Sequence, residues 1–554
     1  MFNSYRGYAL LIIAGSKEYL FSREGVTQGD PLAMLLYGLA VLPLARKLKK
    51  PEKWKQNWYA DDSACSAPLT LIFEWFELLI REGPKYGYFP EPQKSFLVIS
   101  PQFFDEAEHI FKDLGVKIVT GQRFLGGFIG LASDTESWLH EKIRSWVSAV
   151  EKLSKVAVDE PQAAFVALSK SVQNEWLFIQ RVVAQSESAF SPLSDAIKHH
   201  FIPSLFGSSC NELEISLACR PTRHLGIGIL DPVKTAPAQF QISQTATSVL
   251  SATITGGFDL DFSAHESSLT KGIQERRVID EHMMKETQVL VDRFPENQKR
   301  ALLRKINQKC SSWLSVIPSN DNNFDLSPDE FRDSIALCYG RTPVDLPKFC
   351  DADGENFDVN HALNCSKGGL VYGRHNECRD LHCDLLKLAG FKQIVSEPVL
   401  RESDLNGENG LRADWGVRGF WQPQRQAFFD VSIVNADSDS LSHMPLENIF
   451  RTRRNLKYST YLETAKARRA SFSPFIATCD AVLDNEAEGY LKRLAVVLSE
   501  KWGSSYCRVV GWLRARVQIC LLQSVSLCFR GNRTKFRGAG AEDYAGLLSM
   551  DIDF

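Results

Sequence analysis
Long apolar runs are missing from this 554-residue sequence. The two longest, residues 8–15 and 517–529, fall short of the roughly 20 residues that a helical membrane span requires. The first lacks a basic leader and a small-residue cleavage site, so it is read as a buried strand and not as a signal peptide. The second follows Arg514 and Arg516 and is read as a core or partner-facing helix. A charge of one dominant sign is also missing. The net charge is -3, so any nucleic-acid surface must come from local basic patches. The thirteen cysteines are odd in number and scattered, which argues against a secreted disulfide framework and for a reducing compartment, nucleus or cytoplasm. With 44% apolar and 24% charged residues, the chain reads as globular, with room for several domains.

What is present begins with Tyr59-Ala60-Asp61-Asp62, after a short run ending in Trp58. Two neighbouring carboxylates at a hairpin tip can hold a divalent cation, with a nucleotide triphosphate supplying further ligands. Upstream, residues 8–14 and 18–21 are apolar runs separated by Gly15-Ser16-Lys17, a hairpin pattern. Then come Gln28-Gly29-Asp30-Pro31, a good helix opening, and an apolar stretch to Leu48. Residues 83–98 (GPKYGYFPEPQKSFLV) and 124–130 (FLGGFIG) follow in turn.

In this order the segments resemble the palm of a reverse transcriptase. The resemblance implies that Gln28, Gly29 and Tyr59 lie against template and incoming nucleotide. Asp61 and Asp62 would hold Mg2+, Lys94 would sit near the leaving pyrophosphate, and Gly126 and Gly127 would form a primer-grip hairpin. The implied partners are an RNA template and a DNA primer. The implied chemistry is in-line attack of a 3'-hydroxyl with two metal ions clamping the attacking and leaving oxygens. The family's further catalytic aspartate comes from a strand upstream, whereas residues 1–25 contain no aspartate. The expectation is therefore a palm remnant without fingers, with little or no polymerase activity.

Residues 136–184 carry apolar side chains at helical spacing (Trp138, Ile143, Trp146, Val150, Leu153, then Phe165, Leu168, Val172, Trp176) with basic residues between. They resemble the helical thumb and connector of the same elements. A solvated helical face accounts for each basic residue as well. Residues 224–233 (HLGIGILDPV) resemble a segment found after such thumbs and suggest no chemistry. Residues 318–323 (PSNDNN) read as a polar linker before a helix start at Ser327-Pro328.

Cys350, Asp353, His361 and Cys365 form a second centre. The pattern resembles the Cys-x2-Cys-x7-His-x3-Cys knuckle of non-LTR retrotransposon proteins, with Asp353 in the second cysteine position. Zinc accepts carboxylate, but replacing a thiolate weakens a structural site. A metal-free turn packed by the same residues is the alternative.

Beyond it, residues 374–389 read as a helix with the stripe Cys378, Leu381, Leu385 and Leu388, ended by Gly390. A strand-like run at 393–400, Arg412-Ala413-Asp414 and the strand 427–434 carrying Asp430 follow. This order resembles the PD-(D/E)xK, or restriction-like, nuclease core that follows the knuckle in such proteins. The resemblance implies Glu377 on the first helix and Asp414 and Asp430 at a Mg2+ ion that acts on target DNA. The family lysine position falls on Ser432, and Lys457 on the next helix is the substitute. Ala413 stands where the family has proline. Residues 487–498 and 512–529 read as closing helices, with a basic tail at 530–537.

The expected architecture is a multidomain α+β and α/β chain. Its parts are a palm (1–130), helical thumb and connector (131–260), helical linker region (261–345), zinc-knuckle-like segment (346–370), restriction-like endonuclease core (371–470) and C-terminal helices (471–554). The implied activity is a retroelement RNA-directed DNA polymerase fragment with a DNA endonuclease for target-primed reverse transcription. Two alternatives are a non-catalytic nucleic-acid-binding relic, decayed or recruited by its host, and a DNA endonuclease alone.

Overall fold
Apolar residues at helical spacing dominate the chain, and the fold follows them: it is mixed α/β, 60% helical, with small sheets. The structure is a computed structural model, and it describes residues 7–12, 19–22, 30–184, 186–306, 308–402 and 410–533. The contacts divide it into two compact units, Met1–Lys142 with Phe178–Ala189 and Ala236–Ile279, and Ile143–Leu177 with Phe190–Thr235 and Asp280–Phe554.

The first unit is built from two-stranded ribbons and helices. β1 (Ala9–Ile12) pairs antiparallel with β2 (Tyr19–Ser22), as the apolar runs suggested. After α1 (Ala33–Leu48), β3 (Lys55–Tyr59) and β4 (Asp62–Ser66) form a hairpin in which Tyr59 faces Asp62. α2 (Leu69–Glu82) packs beside it, and Leu44, Leu48, Trp54, Trp75, Phe76 and Leu79 form the core. β5 (Phe96–Val98), α3 (Phe104–Phe111) and β6 (Lys117–Val119) make a small parallel unit, and β7 (Gly121–Phe124) with β8 (Gly127–Gly130) a second hairpin. The expected palm thus takes the form, among the described residues, of separate ribbons and not one sheet. The β1–β2 ribbon is not the buried strand that its apolar runs suggested: Leu10, Tyr19, Leu20 and Phe21 are 47–66% exposed.

The second unit begins its chain order in α4 (Ala132–Asp159), whose N-terminal end belongs to the first. Short helices follow between 161 and 218; α5 (Pro232–Gly256) and α6 (Phe262–Val291) lie mostly in the first unit, and α7 (Glu296–Leu303) and α8 (Pro328–Cys338) lead to the C-terminal part of the second. The polar stretch 318–323, expected as a linker, is instead bound into the unit. Trp512 Nε1 donates to Asn322 Oδ1 at 3.0 Å, and Gln162 both donates to the Phe324 carbonyl and accepts from Leu326 N, each at 2.8 Å. Polar composition marks a loop, but donors and acceptors from distant helices decide whether that loop is free.

The C-terminal part holds one mixed sheet. α9 (Val359–Asn364) and α10 (Leu370–Ala389) precede β9 (Ile394–Ser396), a short pair β10 (Val399–Arg401) and β11 (Leu411–Arg412), then β12 (Trp415–Arg418) and β13 (Gln426–Val434). α11 (Leu446–Ala467) crosses over to β14 (Ser471–Thr478), which pairs parallel with β13, and α12 (Asn485–Trp502) and α13 (Tyr506–Arg530) close the chain. The sheet order is β14-β13-β12-β9, with the three earlier strands antiparallel.

Strand alternation sorts β13 into two faces. Ala427, Phe429 and Val431 pack with Trp415 and Phe475 against α10, α12 and α13. Phe428 packs with Phe472 against Tyr458, Tyr461 and Leu462 of α11. Each fully buried aromatic on these faces contributes on the order of 2–3 kcal/mol. The stripe on α10 differs from the reading in one place. Leu388 is exposed, and Leu386 and His382 are buried in its stead, because the sheet and α13 together cover a wider arc than one stripe.

Candidate functional site
The hairpin tip carrying Asp61 and Asp62 is a two-residue turn. Ala60 adopts a positive φ of 50° there, and Tyr59, 61% exposed, and both aspartates face solvent. The segment after α2 holds the tip. Tyr88 Oη donates to the Asp61 carbonyl at 2.8 Å, lies 2.9 Å from Ser63 Oγ, and its ring meets Trp58 edge-on at 5.3 Å. Lys94 is exposed and ion-paired with Glu91 at 2.8 Å, and among the described residues it makes no ion pair with Asp61 or Asp62. The second hairpin turns through Leu125 and Gly126, both with positive φ. A Cβ at Gly126 would come 2.9 Å from the Phe178 ring, so this turn needs glycine. Gly127 is buried beside Val182. Gln28 and Gly29 lie outside the described residues.

The knuckle residues converge. One donor atom from each of Cys350, Asp353, His361 and Cys365 lies within 4.8 Å of the others. A tight turn brings the first pair together: Cys350 N donates to the Glu355 carbonyl at 2.8 Å, Gly354 N to the Cys350 carbonyl at 2.9 Å, and Gly354 has a φ of 77°. Asp358 caps α9 by accepting from His361 N at 2.7 Å, and His361 and Cys365, four apart, share one helix face. His361 Nε2 is 3.5 Å and Cys365 Sγ 3.6 Å from the Asp353 carboxylate. Those separations match the edges of a tetrahedron around zinc, roughly 3.3–3.8 Å from the usual bond lengths. His361 Nε2 is a buried nitrogen without a hydrogen-bond partner among the described residues, so its lone pair or proton is directed into the group. A hydrogen bond from Cys350 does most to hold the Asp353 carboxyl below its ordinary range, while burial pushes the Cys365 thiol up. The group can hold a metal such as zinc. Cys350, Phe357 and Cys365 pack with Val525, Cys528 and Phe529 of α13, so the knuckle is part of the domain core.

Asp414 and Asp430 come together through strand register. Trp415 pairs with Phe429, and Asp414 N donates to the Phe429 carbonyl at 3.0 Å, so Asp414 falls opposite Asp430 on the neighbouring strand. Asp430 is 3% exposed and ion-paired with Lys457, which projects from α11 one turn before Tyr461. Burial, then the neighbouring Asp414, push the Asp430 carboxyl up, and Lys457 and the Tyr461 hydroxyl oppose this. The position two residues after Asp430, Ser432, needs no lysine, because the crossover helix returns one over the same face. Asp414 Oδ2 accepts from Val431 N at 2.5 Å and lies 3.1 Å from His375 Nε2.

Glu377 does not join this group. It is exposed, and its backbone carbonyl accepts from Cys520 of α13. Two positions on a helix are about 200° apart, so when His375 faces Asp414 its second neighbour faces away. The residue of α10 that reaches the acid is His375, and a histidine two residues from the expected glutamate was the only sequence signal. Its imidazole pKa is raised, chiefly by the hydrogen bond with Asp414. Among the described residues, the Cys350 group alone brings three or more metal-binding side chains into one shell. At Asp430 the Lys457 ammonium provides the compensating charge.

No protein-family model matches the chain, and no curated protein matches it.

Proposed function
We propose that this chain is a divalent-metal-dependent DNA endonuclease of the restriction-like type, carried in a protein of non-LTR retrotransposon descent. The observation that carries the reading is Asp414 opposite Asp430 on adjacent strands, with Lys457 returned to Asp430 by the crossover helix. The helix, three antiparallel strands, crossover helix and parallel strand support it as the scaffold. Mg2+ or a similar cation supplies Lewis-acid chemistry on a phosphodiester when bound. Asp414 and Asp430 would provide its oxygen ligands, and the Lys457 ammonium, ion-paired with Asp430, would stand beside the phosphate charge. Tyr461, stacked on Phe472 at 4.9 Å between ring centres, fixes the α11 side of the site. The knuckle, loaded with zinc, would brace the domain through its packing on Val525, Cys528 and Phe529 of α13.

The test is nicking of supercoiled plasmid DNA by the purified chain in Mg2+ or Mn2+. Wild type nicks, and Asp414→Asn and Asp430→Asn do not. Metal-dependent nicking that survives both substitutions overturns the reading.

A second reading, favoured by the tether from Tyr88 to the Asp61 turn, is that β3–β4 is a polymerase-type hairpin. Primer extension on an RNA template tests it. With only Asp61 and Asp62 at the tip, the expected outcome is extension at or near background, and robust extension assigns the hairpin a working site.

A further inference from the structure
The two carboxylates of the proposed nuclease site are restrained differently. Asp430 is held from α11 by Lys457. Among the described residues, Asp414 is held on one oxygen: Oδ2 receives the Val431 backbone N–H at 2.5 Å and faces His375 Nε2 at 3.1 Å. A carboxylate oxygen has two lone-pair directions. With both directions on Oδ2 taken, Oδ1 is the oxygen left for a cation. His375 comes from α10, and its side chain is 34% exposed. The neighbouring Arg374 is buried and donates to Cys479 Sγ at 3.3 Å, which fixes the helix turn from which His375 projects. Arg379, one turn later on the same face, is ion-paired with Asp380 at 2.8 Å and with Glu397. Its ion-pair partners are thus Asp380 and Glu397, and Asp414 acts on it only through its charge.

We propose that His375 is the positioning residue of the metal site: with the Val431 amide it occupies Asp414 Oδ2 and so presents Oδ1 to the divalent cation. His375 is not itself a ligand in this assignment. It acts as a hydrogen-bonding partner behind a ligand, and such partners typically govern metal affinity by about 10–100-fold. The proposal rests on the endonuclease reading of Asp414 and Asp430.

The experiment is titration of the zinc-loaded full chain with Mn2+, followed by electron paramagnetic resonance, in wild type, Asp414→Asn, His375→Ala, His375→Phe and His375→Gln. Zinc loading keeps Mn2+ off the cysteine knuckle, and Asp414→Asn identifies the signal that belongs to this site. His375→Ala and His375→Phe are expected to weaken Mn2+ binding about 10–100-fold with melting temperatures close to wild type. Phenylalanine keeps the ring and its packing, so it separates loss of the donor from loss of shape. Glutamine, whose Nε2 reaches as far as the imidazole nitrogen, is expected to restore most of the affinity. Equal Mn2+ affinity in wild type, His375→Ala and His375→Phe overturns the proposal and leaves the endonuclease reading standing. Nitrogen coupling to Mn2+ that disappears in His375→Phe also overturns it, by making His375 a direct ligand. No Asp414-dependent Mn2+ signal in wild type removes the endonuclease reading and this inference together.

Discussion
Asp61 and Asp62 are neighbours in the chain and stand on an exposed turn, whereas Asp414 and Asp430 are sixteen positions apart and meet across two paired strands. The first pair owes its arrangement to a local hairpin and one tethering tyrosine. The second depends on a sheet, a crossover helix for Lys457 and a second helix for His375. Exposed carboxylates cost little to keep charged, and their neighbours have little leverage over them. Buried ones must be compensated, and each compensating group is then a handle on the site. The same contrast extends past the acids. Elsewhere in the second unit Arg304 makes a two-pronged contact with Asp437, at 2.8 and 2.7 Å, and also donates to the buried Asp480 at 2.9 Å.

The sharpest way to break the comparison is to neutralise each pair in turn. Asp414→Asn or Asp430→Asn is expected to reduce plasmid nicking by at least about 100-fold, the scale of losing a charge-stabilising group. The double substitution Asp61→Asn, Asp62→Asn should leave nicking unchanged and shift stability by no more than about 0.5 kcal/mol, as exposed sites do. Equal effects from the two pairs would erase the distinction.

Next in size is Arg304→Met. It strands Asp480, whose carboxyl Arg304 and then Lys305 hold well below its ordinary range against the cost of burial. Breaking a buried pair costs about 3–5 kcal/mol, and the low end is expected because Lys305 Nζ remains 3.2 Å away. Urea unfolding of the full chain measures it.

Metal removal should have a somewhat smaller effect. With free zinc a hundredfold above its dissociation constant, stripping it lowers stability by about 2.7 kcal/mol. The readout is the melting transition with and without a zinc chelator, and Asp353→Cys is expected to raise zinc affinity. A transition indifferent to zinc would mean a metal-free turn.

The smallest effect is a pH dependence. His382 is fully buried, both ring nitrogens lack partners, and it stacks on Trp415 at 4.9 Å. Burial pushes its pKa down to about 3. The folded state therefore keeps His382 neutral while the unfolded state takes up a proton below about pH 6.5. Stability is full above that pH and declines as pH falls from about 6.5 toward 3, by about 1.4 kcal/mol per unit. His382→Phe is expected to remove that slope and to gain about 2 kcal/mol over wild type at pH 5, measured by unfolding at pH 5 and pH 7.

The tip of the first hairpin was legible because its signal is local. Tyr59 to Asp62 lies between two short strands, and a turn there requires no distant partner. The knuckle was legible for the same reason, since a tight turn and one helical turn set all four donors. The Asp430–Lys457 ion pair joins two residues that only the nuclease resemblance had associated, since they lie on a strand and on the following helix. Glu377 was misread because a helical stripe fixes which positions are buried without fixing which neighbour the opposite face will meet. The stretch 318–323 is bound by Trp512 and Arg516, which are far away in sequence and so could not be read from its composition.

The sequence by itself determined the helical periodicity, the hairpin turns and the donor set Cys350, Asp353, His361 and Cys365, all of which depend on residues within a few turns of one another. Only the tertiary structure decided that Asp414 would face Asp430, that His375 and not Glu377 would reach it, and that Arg304 would answer for Asp480. Register across strands and the rotation of a helix are set by the packing of whole faces. A charge buried by that packing takes whichever partner the assembled elements bring within reach.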